Sequence, residues 1–166
     1  GQSNQQIIRI IANSWQEPMR FTLRSHIRTL GKLSGFMGNN FEADSAEFAK
    51  VLLNDSLIKA MGFTRETFIG MFIPNTYELY WNIEADEFIE KMIHEYEKFW
   101  NEERINKAKS LKMTPVKVSI LASIVDKETS KVSEMPRIAG VYINRLNRNW
   151  LLQADPTLVF ALGDFE

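Results

Sequence analysis

The chain has 166 residues, 45% apolar and 25% charged, the balance of a folded domain and not of a disordered segment. Lys and Arg total 20 against 21 Asp and Glu, a net charge of −1, which argues against a strongly basic nucleic-acid binder. Cysteine is absent and histidine occurs only as His26 and His94. Disulfides, thiolate metal sites and cysteine nucleophiles are thereby excluded, and a multi-histidine metal site or a Ser-His-Asp triad is disfavoured. Catalysis, if the chain performs any, should rest on carboxylates. No run reaches the ~18 apolar residues of a membrane span, and no signal peptide is visible.

The predicted elements are mostly helical. Residues 4–14 read as a short amphipathic helix, and Pro18 to Arg24 alternates like a strand. Arg24 to Gly35 reads as a helix ended by glycine, followed by the turn-rich Gly38-Asn39-Asn40. Asp44-Ser45-Ala46-Glu47 has the spacing of a capping box opening a helix through Leu53. Phe72 to Tyr77 should be extended, because Pro74 disfavours helix at Ile73. One long helix is expected from about Glu84 to Lys109, with Phe88, Ile89, Met92, Ile93, Tyr96, Phe99 and Trp100 on one stripe. His94 points away from that stripe. Charge is segregated along the chain: residues 78–103 carry a net −7 and residues 104–148 a net +7. Such segregation is ordinarily solvated surface, or else the basic half faces an anionic polymer.

Thr114-Pro115 is a strong helix start, with Thr as N-cap and Pro at the first helical position. Val118, Leu121, Ile124 and Val125 then fall on one side of the wheel, and Glu128 falls inside that apolar arc while Asp126 and Lys127 point away. A carboxylate among aliphatic side chains is costly to ionise, which suits a general acid. The residue geometry also admits a plain surface ion pair in the last helical turn. Ser133 can cap a further helix over Glu134 to Leu146, with Ile138, Val141, Tyr142 and Leu146 as its apolar side. Arg145 lies on that same side, either snorkelling along its neighbours or lining a cavity with Glu128. Asp155 could cap a final helix, Pro156 to Leu162, ended by Gly163. Gln153, Asp155 and Thr157 also have the chemistry to hydrogen-bond sugar hydroxyls or an acetamido group.

The blocks SIVDKETS, SEMPRI, VYINRL and LLQADPTLVF, in that order over residues 120–163, resemble the YceG-like family of endolytic murein transglycosylases. The family pattern reads SIVEKET, then SE, then a VFINRL-like helix, then LQTDPT. Upstream, Phe72-Ile73-Pro74-Asn75-Thr76-Tyr77 resembles the family's FxPDTY segment. The resemblance is specific from Phe72 to Gly163 and diffuse before that.

The resemblance implies an α+β, predominantly helical fold. Residues 1–36 would be the end of a small LysM-like α/β subdomain, and residues 37–166 the first portion of the catalytic domain. It implies a lytic transglycosylase that cuts the MurNAc-β-1,4-GlcNAc bond inside peptidoglycan strands and leaves 1,6-anhydro-MurNAc ends, limiting strand length. The catalytic glutamate of the family falls on Glu128. Asn144, Arg145, Gln153, Asp155 and Thr157 carry over as substrate-positioning residues. The implied partners are peptidoglycan glycan strands and peptidoglycan synthases, with no nucleic acid, no metal and no cofactor. Family members are often labelled aminodeoxychorismate lyase, yet no phosphate loop or cofactor pattern is visible here. The implied location is the inner membrane, through a single N-terminal anchor that this sequence does not include, with the catalytic domain facing the periplasm. The family pattern also continues beyond LQTDPT, so the chain is expected to be part of a longer enzyme. The main alternative is a non-catalytic glycan-binding or scaffold protein of the cell wall.

Overall fold

The computed structural model describes residues 3–6, 8 and 16–162. Helices dominate, with one two-stranded antiparallel sheet, so the chain is a predominantly helical α+β protein. Of the helix expected over residues 4–14, residues 4–6 and 8 are helical and the rest lies outside the described residues. The chain divides into two compact units, Gly1–Phe99 and Trp100–Glu166. The expected subdomain boundary at 36/37 lies inside the first of them.

In the first unit, β1 (Met19–Leu23) pairs with β2 (Asn75–Leu79), Phe21 opposite Tyr77 and Met19 opposite Leu79. Alternation decides which face is buried: Phe21, Leu23, Tyr77 and Leu79 are inside while Arg20, Thr22, Thr76 and Glu78 are exposed. Helix α1 (Leu30–Gly38) begins six residues later than the sequence suggests, because the Thr29 side chain caps it by accepting from Lys32 N–H. Helix α2 (Ser45–Leu52) opens on the expected capping box: Asp44 accepts from Ala46 and Glu47, and Glu47 reaches back to Asp44 N–H at 2.8 Å. Gly38 lets the two helices meet, since a Cβ there would collide with the backbone of Asp44 and Ser45.

Two elements escaped the sequence reading. Helix α3 (Asp55–Ala60) is capped by Asn54, and a 3-10 turn spans Phe68–Met71. Helix α4 (Ala85–Phe99) buries Phe88, Ile89 and Met92 and leaves His94 exposed. The long helix expected to run to Lys109 stops here. Asn101 is extended and its side chain accepts from Arg104 N–H at 3.0 Å, which starts a new helix, α5 (Glu102–Ser110). A local cap therefore overrides a continuous apolar period.

The second unit is built on α5, α6 (Pro115–Glu128), α7 (Met135–Asn147) and α8 (Asp155–Leu162). Helix α6 packs against the other three. Its start is as expected, with Thr114 Oγ1 accepting from Lys117 N–H. The N-cap of α7 is Glu134, not Ser133, and Pro136 lies in its first turn. Leu121, Ile124, Val125, Tyr142 and Ala154 form the buried cluster between α6, α7 and the segment before α8, flanked by half-buried Ile138, Ile143 and Leu152. Gly163, expected to end α8, lies outside the described residues.

Candidate functional site

The apolar phase of α6 predicted its buried side correctly: Leu121, Ile124 and Val125 are all buried. Glu128 shares that phase but is the last residue of the helix, and Thr129 turns extended immediately after it. The aliphatic cluster ends one turn earlier, so Glu128 emerges at the rim and is solvent-exposed. The expectation of a carboxylate enclosed by aliphatic side chains is therefore corrected. Helical phase places a residue on a side of the axis and does not say how far along it the neighbouring helices reach.

What Glu128 meets at the rim is polar. The Tyr142 hydroxyl donates to its Oε1 at 2.8 Å across the α6–α7 interface. Tyr142 is 6% exposed, its ring packed in the aliphatic cluster. Burial, then the bonded Glu128 carboxylate, pushes its phenol up to about 12. The hydroxyl is thus a donor at any physiological pH.

The segment from α7 to α8 brings the remaining polar groups round. Trp150 N–H donates to the Arg145 carbonyl at 2.9 Å and Asn149 N–H to that of Leu146 at 3.1 Å. With Asn149 at φ 55°, this is a Schellman ending, and asparagine tolerates its left-handed residue. Arg148 lies over the Trp150 ring, 5.1 Å from its centroid. Arg145 donates from its guanidinium to the Leu152 carbonyl, tying the returning segment to α7. Gln153 is held at φ 51°, a backbone state costing on the order of 1 kcal/mol for a non-glycine residue, which the packed neighbours must sustain. Ala154 next to it is buried at 2% exposure, and anchors Gln153 and Asp155 on either side.

The result is an open groove of about 280 Å³ lined by Glu128, Ile138, Val141, Tyr142, Arg145, Gln153 and Asp155. It lies near the lower end of ligand sites, which run from roughly 300 Å³ upward. Four of the six residues singled out in the sequence, Glu128, Arg145, Gln153 and Asp155, line it together. Asn144 and Thr157 do not. Asn144 is exposed on α7 outside the lining, and Thr157 spends its hydroxyl on the Ala154 carbonyl at 2.6 Å. Tyr142 was missed as a polar residue because its wheel position assigned it to the core. Both assignments hold, for the ring and for the hydroxyl.

The groove offers one cation, two carboxylates, an amide and a phenol beside apolar Ile138 and Val141. That mixture suits a neutral, hydroxyl-rich ligand with apolar C–H faces better than a phosphate or a metal. Among the described residues, no three His, Asp or Glu side chains gather as a metal site.

The model of the YceG-like family matches residues 1–166. The chain belongs to the YceG-like family. It is similar to an endolytic murein transglycosylase of Streptococcus pneumoniae strain D39, 29% identical over 161 residues, covering 88% of this chain and 29% of that protein. The protein of the same name from Bacillus subtilis strain 168 is 29% identical over 120 residues, 70% of this chain and 32% of its own length. The chain thus spans about three tenths of the relatives it matches. No solved structure matches it significantly. No described helix is long and apolar enough to cross a membrane.

Proposed function

We propose that this chain carries the acid–base centre of an endolytic murein transglycosylase, with Glu128 as the catalytic residue. The observation that carries the proposal is the convergence of Glu128, Arg145, Gln153 and Asp155 on one groove in a member of this family. The names of the relatives support the same substrate.

In this reading a glycan strand lies along the groove with the scissile oxygen at Glu128. Glu128 donates its proton to the glycosidic oxygen as the C1–O bond breaks through an oxocarbenium-like state. The resulting carboxylate accepts the proton of the muramic C6 hydroxyl as that oxygen closes on C1. Proton count is conserved, water is not consumed, and one carboxyl serves both steps. The hydrolytic alternative requires a second carboxylate placed to act on water or on C1. Asp155 and Gln153 would take hydroxyl and acetamido groups. Arg145, already oriented by the Leu152 carbonyl, would face a carboxylate of the muramic acid or its peptide. Such an enzyme works where murein is, outside the cytoplasmic membrane.

The full-length protein should release muropeptides with 1,6-anhydro ends from isolated sacculi, read by mass spectrometry, and Glu128→Gln should lower the rate by about 10³-fold. Reducing ends in place of anhydro ends, or unchanged activity in Glu128→Gln, would overturn the proposal. Binding of sacculi without any cleavage by the wild type would identify a glycan-binding protein instead.

A further inference from the structure

The Tyr142 hydroxyl is the hydrogen-bond partner of Glu128 among the described residues, and it comes from a side chain otherwise given over to the core. A glutamate at an exposed helix end has several rotamers to give up before it can act from one position. Tyr142 has no such freedom left, because its ring is fixed among Leu121, Ile124, Val125 and Ala154.

We propose that Tyr142, a tyrosine where the VFINRL-like pattern has Phe, is in this chain a positioning residue, which holds Glu128 by Oε1 so that Oε2 faces the groove and carries the transferred proton. The proposal rests on the reading of Glu128 as the acid. A neutral carboxyl has one O–H and one carbonyl oxygen. A donor occupying Oε1 leaves Oε2 as the oxygen that bears the hydrogen. After that proton passes to the glycosidic oxygen, the phenol still donates to Oε1, and Oε2 is the free base that takes the C6 hydroxyl proton. Tyr142 touches neither reacting atom and keeps its proton throughout the reaction. The charged groups acting on it are Glu128 from α6, Arg145 from α7 and Asp155 at the start of α8. Of these, Glu128 receives its hydrogen bond and Arg145 is turned to the Leu152 carbonyl.

Tyr142→Phe in the full-length protein removes one oxygen and leaves the ring. Cleavage of glycan strands should lose about tenfold in kcat with KM changed less than about twofold. A kcat within twofold of wild type, or a loss carried by KM instead of kcat, overturns the positioning role. If Glu128→Gln is inactive in the same assay, the function proposed above stands regardless; if it is active, both readings fall. Should Tyr142→Phe not fold, the phenol of Tyr142 can be titrated by NMR in Glu128→Gln. Loss of the carboxylate should then lower the phenol's pKa, and an unchanged value would overturn the contact itself.

Discussion

The two compact units bury different chemistry. The first holds Phe21, Phe41, Phe48, Phe63, Phe68, Phe72 and Phe88, all buried, and their rings meet edge-on or tilted: Phe48 and Phe88 cross at 88° with centroids 5.8 Å apart, Phe63 and Phe68 at 69° and 5.7 Å. Phe88 also stacks on Phe72 at 10°. The largest fully buried side chains of the described residues all lie here, Leu33, Met37, Leu52, Ile58, Met71 and Met92 among them. The second unit has a thin aliphatic cluster with one tyrosine. It exposes Val141, Leu146, Trp150, Leu151, Leu158 and Leu162. Aromatic pairs contribute about 0.5–1.5 kcal/mol beyond the area they bury, so the first unit has the larger reserve. The groove sits on the weaker one, where polar groups replace packing. That is the usual distribution, because a site needs groups that a core would exclude.

Substitution can test this contrast. Phe88→Ala should have the largest effect, roughly 3–5 kcal/mol of lost stability. Followed by peptide-resolved hydrogen exchange, protection should drop within residues 16–99. An equal drop over residues 100–162 would dissolve the distinction between the units. A smaller effect is expected at high pH. Burial pushes both Tyr77 in the first unit and Tyr142 in the second up to about 12, so the folded protein holds these protons more tightly than the unfolded chain does. Their contribution is complete below about pH 10 and is lost as the pH rises toward 12. Chemical denaturation between these pH values should show falling midpoints, and Tyr142→Phe should remove the share belonging to the second unit. The smallest effect is a gain. Lys112 sits at φ 56° after α5, where its N–H and that of Met113 close a Schellman turn on Lys109 and Ala108. Lys112→Gly should stabilise the second unit by about 0.5–1 kcal/mol, read as a rise in denaturation midpoint, because glycine reaches that conformation without strain.

Much of the local structure was legible because its causes are local. Asp44 and Glu47 announced the capping box, and Thr114-Pro115 announced the start of α6. The alternation after Pro18 announced β1. Misreadings occurred where two local signals competed. Asn101 is a cap inside a continuous apolar stripe, and the stripe hid it. Thr29 fixes the start of α1, against a sequence pattern that suggested Arg24. Ser133 is a better intrinsic cap than Glu134, yet the chain starts α7 after Glu134. For the groove, the motif blocks named Glu128, Arg145, Gln153 and Asp155. They also named Asn144 and Thr157, whose side chains the fold directs elsewhere.

The sequence by itself narrowed the candidates: with no cysteine and two histidines, any catalysis by this chain is expected to rest on a carboxylate, and helical phase with motif order singled out Glu128. It also determined where most helices begin, since caps and turn residues act over three or four positions. Only the tertiary structure decided that Glu128 stands at an exposed rim and that its oxygen is held by Tyr142, fourteen positions away. The same holds for the return of Gln153 and Asp155 to face it. Those facts depend on how far α7 and the segment before α8 extend along α6, and such distances are set by the packing of Leu121, Ile124, Val125, Tyr142 and Ala154 together, not by any one stretch of chain.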